Sequence, residues 1–178
     1  GLQEMIDALV AQLREPVQTN VHVQAIRPRE RGWIIEAPGQ QLEADAVVLT
    51  CPAGEQARLL SPINASLAKE VGEIAYNRVA VIALGYRREQ VPHALQGFGY
   101  LTPQRERLDA LGAQWCSSIF PDQRAPRDHV LIRVLVGGWN RGDLLDRDDN
   151  GLIRAASEQL RTTLGITVAP CLHEVIRW

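Results

Sequence analysis

Val79-Ala80-Val81-Ile82-Ala83-Leu84 is the longest apolar run of this chain, and its length decides what it can be. A membrane-spanning helix needs roughly 18–20 such residues, so the run is strand-sized, and with Gly85-Tyr86 it makes one long β-strand. Val130 to Val136 reads the same way and stops at Gly137-Gly138. Gly112-Ala113-Gln114-Trp115-Cys116-Ser117-Ser118 supplies a third candidate strand. Together these predict a mixed or antiparallel sheet in the second half of the chain.

The first half has a different character. Leu2, Met5, Ile6, Leu9, Val10 and Leu13 recur at three- and four-residue steps, which predicts an amphipathic helix ended by Pro16. Val21 to Ile26 alternates as a half-buried strand does. Trp33 to Ala37 and Gln41 to Glu43, joined by Pro38-Gly39, read as a hairpin. The continuous apolar passage Ala44 to Ala53 predicts a strand covered on both faces, as in parallel sheets. Helices follow from Pro52 to about Leu60 and from Ala65 to about Ile74, the second capped by Asn64. An aspartate-rich loop (Asp143, Asp146, Asp148, Asp149) leads to a helix from about Asn150 to Leu164, which Gly165 closes, and Cys171 to Trp178 is extended. A boundary near residue 75 separates residues 1–75 from 76–178.

Composition narrows the function classes. The 178 residues carry 46% hydrophobic and 22% charged side chains and a net charge of −2, as a globular protein does and a nucleic-acid binder does not. Cys51, Cys116 and Cys171 are odd in number and far apart, which indicates neither a disulfide framework nor a zinc site. His22, His93, His129 and His173 lack metal-ligand spacing. The chain opens without a methionine and directly in a helical pattern, and it ends on a strand pattern. It therefore reads as a piece of a longer protein, with no signal peptide in view.

One short segment invites a functional reading: Gly97-Phe98-Gly99-Tyr100-Leu101-Thr102-Pro103. Glycines flanking a phenylalanine allow a close backbone approach and offer an aromatic face to a flat partner. A turn leading into a strand, with Phe98 packed in the core, explains the same residues. The segment is not a dinucleotide-binding loop, because Thr102 stands where the third glycine belongs and Pro103 follows where a helix should begin. The chain contains neither a phosphate-binding G-x-x-x-x-G-K-[ST] loop nor a G-x-S-x-G serine-hydrolase elbow. The aspartate loop lacks the glycine and closing glutamate of a calcium loop. Arg87-Arg88 and Arg105-x-Arg107 specify no ligand. The residues alone show no catalytic constellation.

The order of segments resembles the oxygen-dependent protoporphyrinogen oxidases, within the flavin-containing amine oxidase superfamily. Gly1 to Leu9, then Val21 to Ile26 with Ala44 to Ala53, are similar to a helix, hairpin and strand of that family's FAD domain. Gln96 to Pro103, Leu111-Gly112, Ser118 to Pro121, Val134 to Gly138, Leu164-Gly165-Ile166 and Arg177-Trp178 are similar to its substrate domain. The resemblance implies an α/β (α+β) fold, with part of an FAD-binding domain in residues 1–75 and a mixed-sheet substrate-binding domain in residues 76–178.

It also implies site residues. Phe98, Gly99 and Leu101 would lie against a tetrapyrrole, with Leu135 and Val136 on the opposite wall of a slot, and Val23 would present its backbone to the adenine of FAD. The parent enzyme would pass hydrides from a porphyrinogen to the flavin, and oxygen would reoxidise it, giving hydrogen peroxide. The cofactor would carry the chemistry. The G-x-G-x-x-G dinucleotide fold and the substrate-carboxylate arginine lie outside this chain. Alone it is expected to be inactive and to retain no FAD. A cytoplasmic location is implied, with peripheral association of the parent at the inner face of the cell membrane left open, as is its oligomeric state. Another branch of the superfamily (amine oxidase or carotenoid desaturase) and a non-catalytic module for a flat apolar ligand remain the alternatives.

Overall fold

The computed structural model describes residues 2–139 and 141–178; Gly1, part of the first family-like passage, lies outside them. The chain divides into two compact units, Gly1–Ala75 and Tyr76–Trp178.

In the first unit, helix α1 (Leu2–Val10) is followed by strands β1 (Ala25–Pro28), β2 (Trp33–Ala37) and β3 (Gln40–Ala44). They form an antiparallel sheet in the order β1-β2-β3, so the expected hairpin has a third strand. Arg27 and Glu36 bridge β1 and β2 on the surface through a forked pair of hydrogen bonds of 2.8 and 3.3 Å. Helices α2 (Ala53–Leu60) and α3 (Ala65–Gly72) pack on each other, and the Asn64 side chain accepts from the Leu67 N–H as expected of an N-cap. The amphipathic α1 forms, but its apolar residues Leu2, Met5, Ile6 and Leu9 are all exposed.

Of the expected strands of this unit, Val21 to Ile26 begins later, at Ala25 in β1, and Ala44 to Ala53 does not form. Val21 to Val23 precede β1 without ladder bonds, Gln24 reaches the sheet only through its N–H to the Glu36 carbonyl at 2.8 Å, and residues 45–52 form no strand, with Val48 84% exposed. The physical reason is pairing. A strand covered on both faces belongs to a sheet that flanks it, and among the described residues no strand pairs with residues 45–52.

The second unit is built on strands β4 (Val79–Arg87), β5 (Gly99–Leu101), β6 (Ala110–Trp115), β7 (His129–Gly137) and β8 (Leu172–Arg177). Their order is β5-β6-β7-β4-β8, and every pairing is antiparallel. The two longest aliphatic runs of the sequence, β4 and β7, are adjacent near the centre of this sheet, where both edges of each are paired. The strand expected over Gly112 to Ser118 ends early, because Cys116–Ile119 turn into a short helix, α4. Ser117 Oγ accepts from the Leu131 N–H and Ser118 Oγ donates to the Leu95 carbonyl, so serine side chains replace ladder bonds there.

Helix α5 (Asp149–Leu164) packs on one face of this sheet. Asp148 caps it by accepting from the Gly151 N–H at 2.7 Å, and Gly165 (φ +71°) ends it in the left-handed conformation. Leu152, Ala156, Leu160 and Leu164 recur every four residues and meet Ala80, Ile82, Leu84, Ile132, Val134 and Val136 in one core. Burying each such leucine stabilises the unit by about 1.5–3 kcal/mol. Among the described residues no helix is long and apolar enough to cross a membrane.

Candidate functional site

Strand alternation gives this sheet a second face, which α5 does not cover. The register lines up one residue from each strand across it. Leu101 pairs with Gly112, Gly112 with Leu135, Leu135 with Val81, and Val81 with Ile176. With neighbouring strands about 4.8 Å apart, this row runs about 19 Å from edge to edge. Four of its members are aliphatic and the fifth has no side chain. Leu101 is 87% exposed and Ile176 43%. The row contains no acid, base or nucleophile, so it can bind and orient an apolar surface but cannot transfer a proton.

The site residues expected from the sequence fall unevenly on this face. Leu101 and Leu135 belong to it. Phe98 is 75% exposed in the approach to β5, so it is not the packed core residue of the simpler reading. Val136, fully buried, points the other way into the core under α5, because adjacent strand residues face opposite sides. Leu101 and Leu135, expected on facing walls, thus lie on one face of this sheet.

Gly99 lies against the neighbouring strand. Its φ is +142°, and a Cβ there would stand 2.0 Å from the Ala113 carbonyl oxygen. A Cβ on Gly112 would likewise stand 2.3 Å from the Tyr100 carbonyl oxygen. The close approach these glycines allow is that of β5 to β6.

Beneath β5 lies a residue the sequence reading passed over. Gln159, 5% exposed, is the buried polar side chain of the α5 stripe. Its Oε1 accepts from the Ala110 N–H at 2.8 Å, and its Nε2 donates to Tyr100 Oη at 3.3 Å and to Thr102 Oγ1 at 3.2 Å. Tyr100 Oη also shares a 3.0 Å hydrogen bond with Thr163 Oγ1. Both neighbours of Leu101 are thus tied to the helix side, which leaves Leu101 directed to the open face. A glutamine three residues after Ala156 and one before Leu160, on an otherwise apolar stripe, was the available signal.

In the first unit, Val23 borders a cleft of about 430 Å³ whose lining includes Val21, Ile35, Val47, Leu49 and Leu59. Arg58 holds the segment in place, donating from Nη1 to the Gln24 carbonyl at 2.8 Å and from Nη2 to the Val23 carbonyl at 3.0 Å. The Val23 N–H makes no hydrogen bond among the described residues. An apolar cleft with a free backbone donor suits a flat heterocycle that carries ring-nitrogen acceptors. No group of three or more His, Cys, Asp or Glu side chains that could hold a metal occurs among the described residues.

Comparison with known proteins agrees on one family. The model of the flavin containing amine oxidoreductase family matches residues 1–178. Coproporphyrinogen III oxidase of Propionibacterium freudenreichii subsp. freudenreichii is 33% identical over 181 residues, covering 100% of this chain and 33% of that protein. The chloroplastic protoporphyrinogen oxidase 1 of Arabidopsis thaliana is 28% identical over 175 residues, covering 92% of this chain and 32% of that protein. Among solved structures, a candidate protoporphyrinogen oxidase from Exiguobacterium sp. 255-15 superposes with a TM-score of 0.82 at 20% identity, over 99% of this chain and 38% of that one. A redesigned putrescine oxidase does so with a TM-score of 0.72 at 15% identity, over 98% of this chain and 38% of that one. The chain spans about a third of the length of the curated relatives it matches. A match along the whole chain, carried by both sequence and fold, makes it a member of the flavin-containing amine oxidoreductase family.

Proposed function

We propose that this chain supplies the substrate-facing floor, and part of the FAD-binding unit, of an enzyme that oxidises a porphyrinogen to a porphyrin with oxygen. The observation that carries the reading is the row Leu101, Gly112, Leu135, Val81 and Ile176, a broad apolar surface without side-chain chemistry of its own. Such a surface suits a large flat ligand, and the named relatives at 28–33% identity are porphyrinogen oxidases. In this reading Tyr76–Trp178 is the substrate-binding domain. Leu101 and Leu135 meet the tetrapyrrole from below, Phe98 flanks it, Gly99 sets the β5 edge, and Val136 supports Leu135 from the core side.

Gly1–Ala75 is then part of the FAD-binding domain. Val23, held by Arg58, lies where an adenine ring would be received in the cleft. Bound FAD would supply the hydride acceptor and the reaction with oxygen. The residues of this chain bind, orient and exclude water.

The test is substrate turnover by the holoenzyme. Porphyrinogen oxidation, followed by the rise of porphyrin fluorescence together with hydrogen peroxide, is the expected result, with no oxidation of amines or carotenes. Amine oxidation without porphyrinogen oxidation would overturn the reading.

A further inference from the structure

Next to the apolar row runs a second one, two residues along each strand and so about 6.6 Å away. It consists of Gly99, Gln114, Arg133, Ala83 and Glu174 in register. Arg133 stands at its centre, on β7, exposed on the same face as Leu135. Its Nη2 donates to Gln114 Oε1 at 2.7 Å across the strand pair, which fixes the direction of the guanidinium, and its other N–H groups have no hydrogen-bond partner among the described residues.

The sheet carries three arginines, Arg87, Arg133 and Arg177. Arg87 pairs with Asp128 and Arg177 with Asp149. Arg133 has no carboxylate within ion-pairing distance among the described residues; Glu174 stands two strands away on the far side of Ala83. A cation in the middle of an apolar floor is tolerable while water reaches it. Once a ligand lies over the floor and removes that water, an unpaired guanidinium carries a desolvation cost, whereas a carboxylate brought in by the ligand gives a strengthened, charge-assisted pair.

We propose that Arg133, oriented by Gln114, receives a carboxylate of the tetrapyrrole lying on the adjacent row and so determines which porphyrinogen is accepted. The inference rests on the porphyrinogen reading above and adds the substrate class. Coproporphyrinogen carries propionates at positions where protoporphyrinogen carries vinyl groups. A vinyl group over Arg133 leaves the cation dry and unpaired; a propionate pairs with it. The floor therefore selects the more acidic tetrapyrrole, through a penalty on the less acidic one as much as through a gain.

The test compares the wild-type holoenzyme with R133M and R133K on coproporphyrinogen III and protoporphyrinogen IX. Wild type is expected to prefer coproporphyrinogen. R133M is expected to raise the KM for coproporphyrinogen about tenfold at nearly unchanged kcat and to lose most of the preference, while R133K keeps part of it. Equal effects of R133M on both substrates, or none, would overturn the proposal. Fluorescence-quenching titration with coproporphyrin III and with its methyl ester gives a readout independent of turnover. R133M should weaken the acid about tenfold and leave the ester unchanged. An enzyme that oxidises neither porphyrinogen yet shows this split refutes the assigned reaction and retains the carboxylate site; the absence of the split refutes the site. Matching thermal unfolding of the three proteins ensures that the comparison is not one of folding.

Discussion

Leu101 and Leu135 lie two strands apart in one row of the five-stranded sheet, with only Gly112 between them. Because Gly112 has no side chain, the two leucines border a shallow gap about 10 Å across, set by the spacing of the strands. Below each leucine the sheet is braced differently. Val136, the neighbour of Leu135, is packed in the core, while Tyr100 and Thr102, the neighbours of Leu101, are tied to Gln159. The face that would meet a ligand is thus held from beneath by residues that never touch it.

This division of labour separates binding from stability. Leu101→Ala removes a side chain that is 87% exposed, so unfolding in urea should change by less than about 0.5 kcal/mol. Binding of porphyrin by the holoenzyme should nonetheless weaken several-fold. Val136→Ala empties space in the core and should cost about 2 kcal/mol of stability, with any change in porphyrin affinity following from that loss. A Leu101→Ala protein that binds porphyrin as the wild type does would remove Leu101 from the site.

Gly99 is predicted to accept no side chain. Gly99→Ala puts a Cβ at φ +142° and 2.0 Å from the Ala113 carbonyl oxygen, so β5 has to part from β6. The expected outcome is faster amide hydrogen exchange at Thr102 and Trp115, whose N–H groups bond to Leu111 and Phe98 across this edge. Unchanged protection at both would mean that β5 tolerates the methyl group.

Much of the fold was legible because it rests on local patterns. The runs at Val79 and Val130 become adjacent strands, and Asn64 and Gly165 cap their helices as their residue types suggest. The passage at Ala44 to Ala53 was misread for a non-local reason. Its apolar run matches a doubly covered strand, but pairing is a property of neighbours, and the described residues provide none. The placement of the candidate site residues was only partly legible. Leu101 and Leu135, expected on opposite walls, share one face of the sheet, and strand alternation alone separates Leu135 from Val136. Which of the two faces outward depends on the position of α5. Val81, Ile176 and Arg133 come onto the same face only through register, which no single segment encodes.

Gln159 is predicted to be a stabilising clamp whose loss is felt at β5. Gln159→Leu keeps the volume near that of glutamine but leaves the Ala110 N–H without its acceptor and Tyr100 and Thr102 without their donor. The cost should be about 2 kcal/mol, mostly from the orphaned backbone group. Hydrogen exchange at Ala110 should accelerate well beyond the global change, since its protection depends directly on the glutamine oxygen. Uniform acceleration across the sheet would show only general destabilisation. Thr102→Val, which removes a single arm of the network, should cost less than about 1 kcal/mol.

Tyr86 should make the stability of this unit fall in alkali. Burial pushes its hydroxyl above the ordinary tyrosine range; the nearby Ser157 hydroxyl draws it partly back, and Cys171 adds to the rise. Neither Tyr86 Oη nor Ser157 Oγ makes a hydrogen bond of good geometry. Because the folded-state pKa lies above the unfolded value of about 10, the stabilisation is fully present below that value and is lost as the pH rises through the folded pKa. Thermal unfolding followed from pH 8 upward should therefore show a decline beginning near the ordinary tyrosine pKa. Tyr86→Phe should flatten that decline. At neutral pH it should leave stability unchanged or raise it by up to about 1 kcal/mol, since the hydroxyl it removes is buried without a partner. A marked loss of stability in Tyr86→Phe at neutral pH would show instead that the Tyr86 hydroxyl bonds to Ser157 in solution.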